Sequence, residues 1–488
     1  MKKISIILLV VMLLTVIAAC ADDKAENPTQ SVTTTISSDV EDIVIETTEL
    51  QPEIPADSDF GGHEFIALVR GETFNEWQSQ DIYVLEQNGE PVNDAVYARN
   101  MYLEEKLNIK IGEFQGSGDL ANIAKKSIQA GSSDYDILMV NTNESATLAS
   151  QGFLYDLYDV PYLDMDKPWW DQRSINQYSL AHKLFFMTGD LSIMANDATW
   201  ILMFNKAIAD DYNLESLYSI VENNKWTMDK MLEIMYTVSE DLNGDGEMKH
   251  ADDRFGFLTH ESSYEGFLFG SGSHIVSKDS NDMPYLDMSN ERIIGVVEKT
   301  NKLMINKDVT APLNLDPVGV MQPIFEGNRS LFYGEVVQCI IRLRAMEIDF
   351  GVLPFPKFDE NQEEYSHYIN NTACLVSIPL TNMELERTGI ILEAMAAKST
   401  STLQEAYYDV CLDGKFMRDE ESKTMLDIIF ATRNFDIGYV YNWGNLFTTF
   451  KTSASSGNND FASKYEAAES KAITAMEKTL EQWIEGAV

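Results

Sequence analysis

Between His63 and Val140 the chain alternates short apolar runs with amphipathic stretches, and this rhythm limits the fold more than any other feature. His63-Glu-Phe-Ile-Ala-Leu-Val69, Asn108-Ile-Lys-Ile-Gly112 and Asp136-Ile-Leu-Met-Val140 read as strands. Between them, Asp94–Leu107 reads as a helix capped by Asp94, with Ala95, Ala98, Met101, Tyr102 and Leu103 on its apolar face. Leu120–Ala130 reads as a second helix, stopped by Gly131. Strand–helix–strand–helix–strand predicts a doubly wound α/β sheet, whose ligand loops lie beyond the carboxyl ends of its strands.

Further along, Leu184–Met187 and Trp200–Phe204 read as strands, and Asn205-Lys206 marks the expected crossing into a second lobe. That lobe should hold an amphipathic helix over 227–240, a hairpin near Ile275 and Tyr285, and a helix over 290–306. Ser330–Tyr333 and Phe350–Pro354 look like return strands, and helices dominate Glu384–Phe430. The expected divisions are 61–204 for the first lobe, 205–330 for the second, and 331–488 for the return segments that complete both.

The N-terminus points to export. Lys2 and Lys3 precede the apolar run Ile4–Ile17, which is shorter than the ~20 residues that span a bilayer. Ile17-Ala-Ala-Cys20 then has the form of a bacterial lipoprotein box, with Cys20 as the lipidated residue after a signal peptide of residues 1–20. Residues 21–60 carry eleven acids against one lysine and read as a disordered acidic tether. The net charge of −42 disfavours nucleic acid and anionic lipid headgroups as partners. Beyond Cys20, the cysteines Cys339, Cys374 and Cys411 form no CxxC and read as buried free thiols.

Asp241-Leu-Asn-Gly-Asp-Gly-Glu-Met-Lys-His-Ala-Asp252 has the spacing of a calcium loop. Asp241, Asn243 and Asp245 stand at positions 1, 3 and 5, Glu247 offers its carbonyl, and Asp252 fills position 12. The twelfth residue is one methylene shorter than the usual Glu, and Arg254–Leu258 reads as a strand, so a structural Ca2+ clamp is expected here and not a switching sensor.

Several stretches together carry a family resemblance. They are the lipoprotein start, Asp241–Asp252 running into Asp253-Arg-Phe-Gly256, Phe325-Glu-Gly-Asn-Arg-Ser-Leu-Phe332, Asp349-Phe-Gly-Val-Leu-Pro-Phe-Pro-Lys357, Tyr408-Asp-Val410, and Met425-Leu-Asp-Ile-Ile429 leading to Tyr441-Asn-Trp443. The chain resembles extracellular solute-binding lipoproteins of ABC importers, of the sugar type common in Gram-positive gut clostridia. The resemblance implies a two-lobed, periplasmic-binding-protein-like α/β fold of type II. It also implies a mono- or oligosaccharide closed between the lobes, and delivery to ABC permease subunits at the outer face of the membrane.

The strand-end rule selects Glu72, Asn75 and Trp77 after the first strand, and Asn143 and Glu144 after the third. Asp190 and Trp200 lie around the crossing, and Tyr333 and Glu335 follow Leu331-Phe332. Trp443 joins them as an aromatic plate for a sugar ring, with carboxylates and amides for its hydroxyls. The same acids and aromatics would suit a polyamine or another cationic solute. A surface glycan-binding protein with no transport role is the other alternative. No G-x-S-x-G or H-E-x-x-H is present, and an enzyme is not expected.

Overall fold

Strand β1 (His63–Arg70) is apolar from Phe65 to Val69 and lies in the middle of the first sheet. Strand β2 (Ile109–Gly116) runs parallel to it in register from His63↔Ile109 to Arg70↔Gly116. Strand β3 (Ile137–Asn141) pairs on its other side, also parallel. The structure is a computed structural model that describes residues 50–412, 419–458 and 460–485. The signal segment, Cys20 and most of the tether lie outside the described residues, as does the side chain of Cys411.

The helix before β2 spans Pro91–Leu107 and starts three residues before the expected cap. Pro91 occupies its first turn, where a missing N–H costs nothing. Asp94 instead accepts the backbone N–H groups of Asn88 and Gly89, closing the turn that leads in. Asn108 ends the helix at φ 49°. The next helix, Leu120–Gln129, is capped by the Asp119 side chain on Asn122 N–H. The sequence places the body's start at Gly61, but Pro52 already belongs to the compact unit. Phe60 N–H donates to the Leu107 carbonyl at 2.9 Å, and Lys167 pairs with Glu53 at 2.8 Å.

The chain crosses to the second lobe earlier than Asn205. Met187 still bridges to the first sheet at Val376, whereas β4 (Trp200–Asn205) is already inside the second sheet. That sheet has the order β5-β8-β4-β9, with β5 Phe255–Leu258, β8 Ser330–Val336 and β9 Phe350–Leu353. Strand β4 lies antiparallel to both neighbours, from Trp200↔Val336 to Phe204↔Phe332 on one side and Leu202↔Leu353 to Asn205↔Phe350 on the other. Strands β6 (Val276–Lys278) and β7 (Pro284–Leu286) form the expected hairpin. Every residue of β4, β5, β8 and β9 is buried. These strands therefore read as continuous apolar runs, as sheets covered on both faces do.

The chain returns through β10 (His367–Tyr368) to β11 (Cys374–Ser377), which adds antiparallel to β3 and completes the first sheet as β11-β3-β1-β2. Helix Leu385–Ser399 lies on the first lobe, its Glu393 accepting the indole N–H groups of Trp169 and Trp170 at 3.1 and 2.9 Å. Helix Glu420–Ala431 lies on the second, where Ser422 accepts Val352 N–H. Strand β12 (Arg433–Asn434) then pairs with β10 between the two sheets. Cys339 and Cys374 are free and buried, as expected from the sequence.

Candidate ligand groove between the lobes

The carboxyl ends of β1, β2 and β3 fall at one edge of the first sheet, at Arg70, Gly116 and Asn141. In the second sheet Leu258, Val336 and the start of β4 share an edge. The two edges meet. Gln338, two residues past β8, donates to the Glu76 carbonyl in the loop that follows β1. Arg342 reaches the Glu76 carboxylate at 2.7 Å and Glu335 at 3.3 Å. This puts the approach of the lobes beyond the strand ends, where α/β sheets bind ligands.

The loop after β1 is held as a wall. Arg99 is fully buried in helix Pro91–Leu107, and both it and Asn100 donate to the Ile82 carbonyl at 2.9 Å. Arg99 also reaches the Leu191 carbonyl and the Ser399 hydroxyl. Asp81 accepts Ser79, Ser192 and the N–H of Ile193, which ties the same loop to the crossing segment. Burial lowers the Arg99 guanidinium only to about 10, with Asp81 opposing, so it stays charged at neutral pH.

Against this wall lies a cavity of about 860 Å3. Gln78, Gln80, Tyr83, Glu113 and Gln115 line it from the first lobe, and Ile341 and Arg344 from the second. An amide–carboxylate chain crosses its floor: Gln78 donates to Gln115 at 3.2 Å, and Gln115 to Glu113 at 2.7 Å. Burial pushes the Glu113 carboxyl up to about 7. A second cavity of about 290 Å3 shares Gln78, Gln80, Val92 and Ile341 with the first and runs on to Glu76, Asp197, Gln338 and Tyr407. Tyr407 donates to Asp197 at 2.8 Å, and burial pushes that carboxyl up to about 7 as well. Two buried oxygens near the apposed edges, Gln338 Oε1 and Thr372 Oγ1, have no partner among the described residues. Planar amides, carboxyls, a tyrosine and arginines on two facing walls suit a polyhydroxylated solute.

The structure brings few of the sequence-predicted residues into this groove. Glu72 and Asn75 are exposed on the 3-10 turn just before it, Asn75 at φ 50°, and Trp77 closes that turn half-buried against the core. Asn143 is exposed on helix Thr142–Ser150. Glu144 caps that helix from within: its carboxylate accepts Leu120 N–H at 2.7 Å and Asn141 N–H at 3.1 Å, leaving it a structural brace.

Trp200, Tyr333 and Trp443 require correction, being 1%, 0% and 4% exposed. The Trp200 indole donates to Ser263 at 3.2 Å, and that of Trp443 to Thr479 at 2.9 Å, with Tyr441 stacked on its ring. Tyr333 packs on Phe325 inside the second lobe. All three sit where both faces of the local structure are covered, so they serve as core plates. Glu335 is buried and reaches the groove only through Arg342.

Asp190 lines a separate cavity of about 350 Å3 with Asp171, Asn196, Gln404 and Arg433. Burial pushes its carboxyl up to about 6 although Thr400 donates to it at 2.6 Å. Sequence reasoning missed Gln78, Gln80, Gln115, Arg342 and Arg344. The available signals were the Gln-Ser-Gln run after the first strand loop and two closely spaced arginines in a chain poor in bases.

In loop 241–252 the side chains turn onto the loop's own backbone. Asp241 accepts the N–H groups of Gly244 and Gly246 at 2.7 Å, Asn243 that of Asp245, and Asp245 that of Glu247. Lys249 lies on Asp245 at 2.7 Å and Glu247 at 2.9 Å, and its hydrogen bond holds the Asp245 carboxyl below its usual range. Asp252 is exposed; the fully buried Asp253 closes the loop, accepting Leu242 and Lys249 N–H. Among the described residues, no three acidic, His or Cys side chains converge as a set that could hold a metal ion.

A model of the family described as bacterial extracellular solute-binding protein matches residues 77–268. No curated protein sequence matches the chain. Among solved structures, the chain is similar to an ABC substrate-binding protein from Listeria monocytogenes in complex with cycloalternan, at 11% identity and a TM-score of 0.54, over 85% of this chain and 99% of that one. It is similar to the galacto-N-biose-/lacto-N-biose I-binding protein of an ABC transporter from Bifidobacterium longum, in complex with lacto-N-biose, at 10% identity and a TM-score of 0.55, over 86% and 99%. UgpB from Mycobacterium tuberculosis, in complex with glycerophosphocholine, matches at 12% identity and 0.55, over 86% and 98%. The chain thus carries, over residues 77–268, the sequence pattern of the bacterial extracellular solute-binding proteins, and over most of its length their two-lobed fold.

Proposed function

We propose that the protein captures an oligosaccharide in the groove between its lobes and delivers it to an ABC permease from the outer face of the membrane, anchored through a lipid on Cys20. The observation that carries this reading is the groove itself. Its first wall is the pinned loop after β1 and the floor at Glu113 and Gln115; its second is the segment after β8. A solute in it touches both lobes, so it stabilises the closed arrangement by the contacts that only closure provides. Cavities of this size are ordinary for small ligands. Two of the similar proteins were solved with saccharides bound. A cationic solute is the weaker reading, because Arg342 and Arg344 stand in the groove wall. The matching family and the similar structures are solute-binding proteins, so the bound solute should leave unchanged. No helix among the described residues is long and apolar enough to cross a membrane, so the attachment proposed is the N-terminal lipid alone.

The test is isothermal titration of the purified protein with neutral and acidic oligosaccharides, polyamines and peptides, with recovery of the solute afterwards. Saturable binding of an intact saccharide, weakened by Gln78→Ala and Gln115→Ala, is the expected result. Cleavage of the saccharide, or binding only of polyamines, would overturn it.

We also propose that loop 241–252 takes Ca2+ as a structural ion. Asp241, Asn243 and Asp245 already turn inward onto one short stretch of backbone, and an ion would have to displace Lys249 from Asp245. One millimolar calcium should raise the thermal midpoint and a chelator should reverse the rise; Asp245→Ala should abolish the response.

A further inference from the structure

Arg344 differs from the other arginines of the described residues. Arg70 donates to the Thr372 carbonyl, Arg99 to buried carbonyls, Arg292 to Ser271 and Gln362, and Arg329 to His250 and Ala251. Arg173, Arg254, Arg342, Arg387 and Arg433 each pair with a carboxylate. Arg344 makes no hydrogen bond or ion pair with any described residue, and it is exposed in the wall of the larger cavity. In a chain with 78 acidic residues against 36 basic ones, an arginine with no partner of any kind among the described residues is the exception. Its place on the short turn Leu343–Ala345 is fixed from below, where Leu343 is fully buried in the second-lobe core.

The floor opposite is compatible with an anion. Of its two polar types, the amides of Gln78 and Gln115 carry no charge. Glu113 is drawn toward neutrality by burial, with Asp81 as the charged neighbour acting in the same direction. Glu90, exposed, is a further carboxylate on the same cavity; the rest of the acidic excess acts at longer range and is screened over about 8 Å at physiological ionic strength. A planar guanidinium at the wall matches the two oxygens of a carboxylate, a geometry a lysine does not reproduce.

Taking the groove as the solute site, as proposed above, we propose that the preferred solute is an acidic saccharide, a uronic-acid-containing oligosaccharide whose carboxylate is held by Arg344 while its hydroxyls meet the amides of the opposite wall. The neutral part of the solute rests on the first lobe, and the carboxylate is read by the second. Arg344 therefore sets specificity and not the fold.

The experiment is calorimetric titration with di- and trigalacturonate and with neutral galacto-oligosaccharides of the same lengths, on the unchanged protein and on Arg344→Gln and Arg344→Lys. The acidic series should bind at least tenfold tighter than the neutral one. R344Q should remove that difference by lowering acidic binding to the level of the neutral series, with the thermal midpoint unchanged, and R344K should restore only part of it. Added salt should weaken acidic binding selectively. Equal affinity for the two series, or unchanged acidic affinity in R344Q, would overturn the assignment and leave the saccharide reading of the groove intact. Binding of neither series would overturn both. Preference for sulfated over carboxylated sugars of equal length would overturn the uronic-acid assignment.

Discussion

Trp200 pairs with Val336 across β4 and β8, and Gln338 follows Val336 by two residues. These near neighbours meet opposite conditions. The Trp200 indole N–H ends on Ser263, and the same is true of every other buried tryptophan: Trp169 and Trp170 on Glu393, Trp226 on the Pro354 carbonyl, Trp443 on Thr479, Trp483 on Tyr441. Gln338 keeps one buried oxygen without a partner among the described residues, and Arg344 has no acceptor among them. The buried indole N–H groups are all satisfied because burying them bare costs several kcal/mol, although His367 Nε2 is a buried atom that finds no partner among the described residues. In the groove wall polar atoms are left for something else. For the tryptophans, this difference marks framework more cleanly than residue type does.

The largest expected effect lies on the framework side. Trp200→Ala should cost about 3–5 kcal/mol by removing a buried aromatic that the sheets cannot close over, read from urea unfolding. A small stability loss combined with lost solute binding would mean that Trp200 is a ligand plate, and the distinction drawn above would fail. Glu393→Ala comes next. It leaves two buried indole N–H groups without an acceptor, at about 1–3 kcal/mol each, and should shift unfolding without touching a solute that binds in the groove.

Arg342→Ala tests the other side. Its pair with Glu76 is partly exposed and adds little, but truncation also leaves the buried Glu335 carboxylate without its guanidinium, so stability should fall by roughly 1–3 kcal/mol. Solute affinity should fall about tenfold, because the bridge between the lobes lies in the groove wall. A large stability loss with unchanged affinity would place Arg342 with the framework.

The smallest effect is on pH. Burial raises Glu113, Asp197, Glu265 and Glu393 to about 7 and Asp190 to about 6. The folded chain therefore holds protons that the unfolded chain releases near 4–4.5. Their favourable contribution is complete below that range and is lost as pH rises through 6 to 7. The thermal midpoint should be a few degrees higher at pH 5 than at pH 7.5, and a midpoint that rises over this interval would contradict the burial of these carboxyls.

The fold was legible because buried strands write themselves as apolar runs: β1, β3, β4, β8 and β9 all stood out, and the intervening helices had periodic faces. Boundaries were less legible. Pro91 could start a helix as well as Asp94 could cap one, and the apolar run at Trp200 does not say which sheet it joins. The site was largely illegible. Tryptophan suits a sugar and a core equally, and only the cover over both faces of β4 decides for Trp200. Glu144 looks like a binding carboxylate until Leu120 and Asn141 are seen to occupy it. Gln115 carries no distinguishing sequence signal; it matters because strand pairing brings it to one floor with Gln78, far from it in the chain.

The buried Arg99 has a consequence for timing. It fastens the loop carrying Gln78 and Gln80 to the crossing segment and to the end of helix Leu385–Ser399. That half of the groove travels with the first lobe as one piece, whether or not the second lobe is near. A solute should thus land first on a finished half-site, and Arg344 should arrive afterwards with the second lobe. Substitutions at Gln78 or Gln115 would then slow capture, whereas those at Arg344 would shorten the residence time of what has been captured.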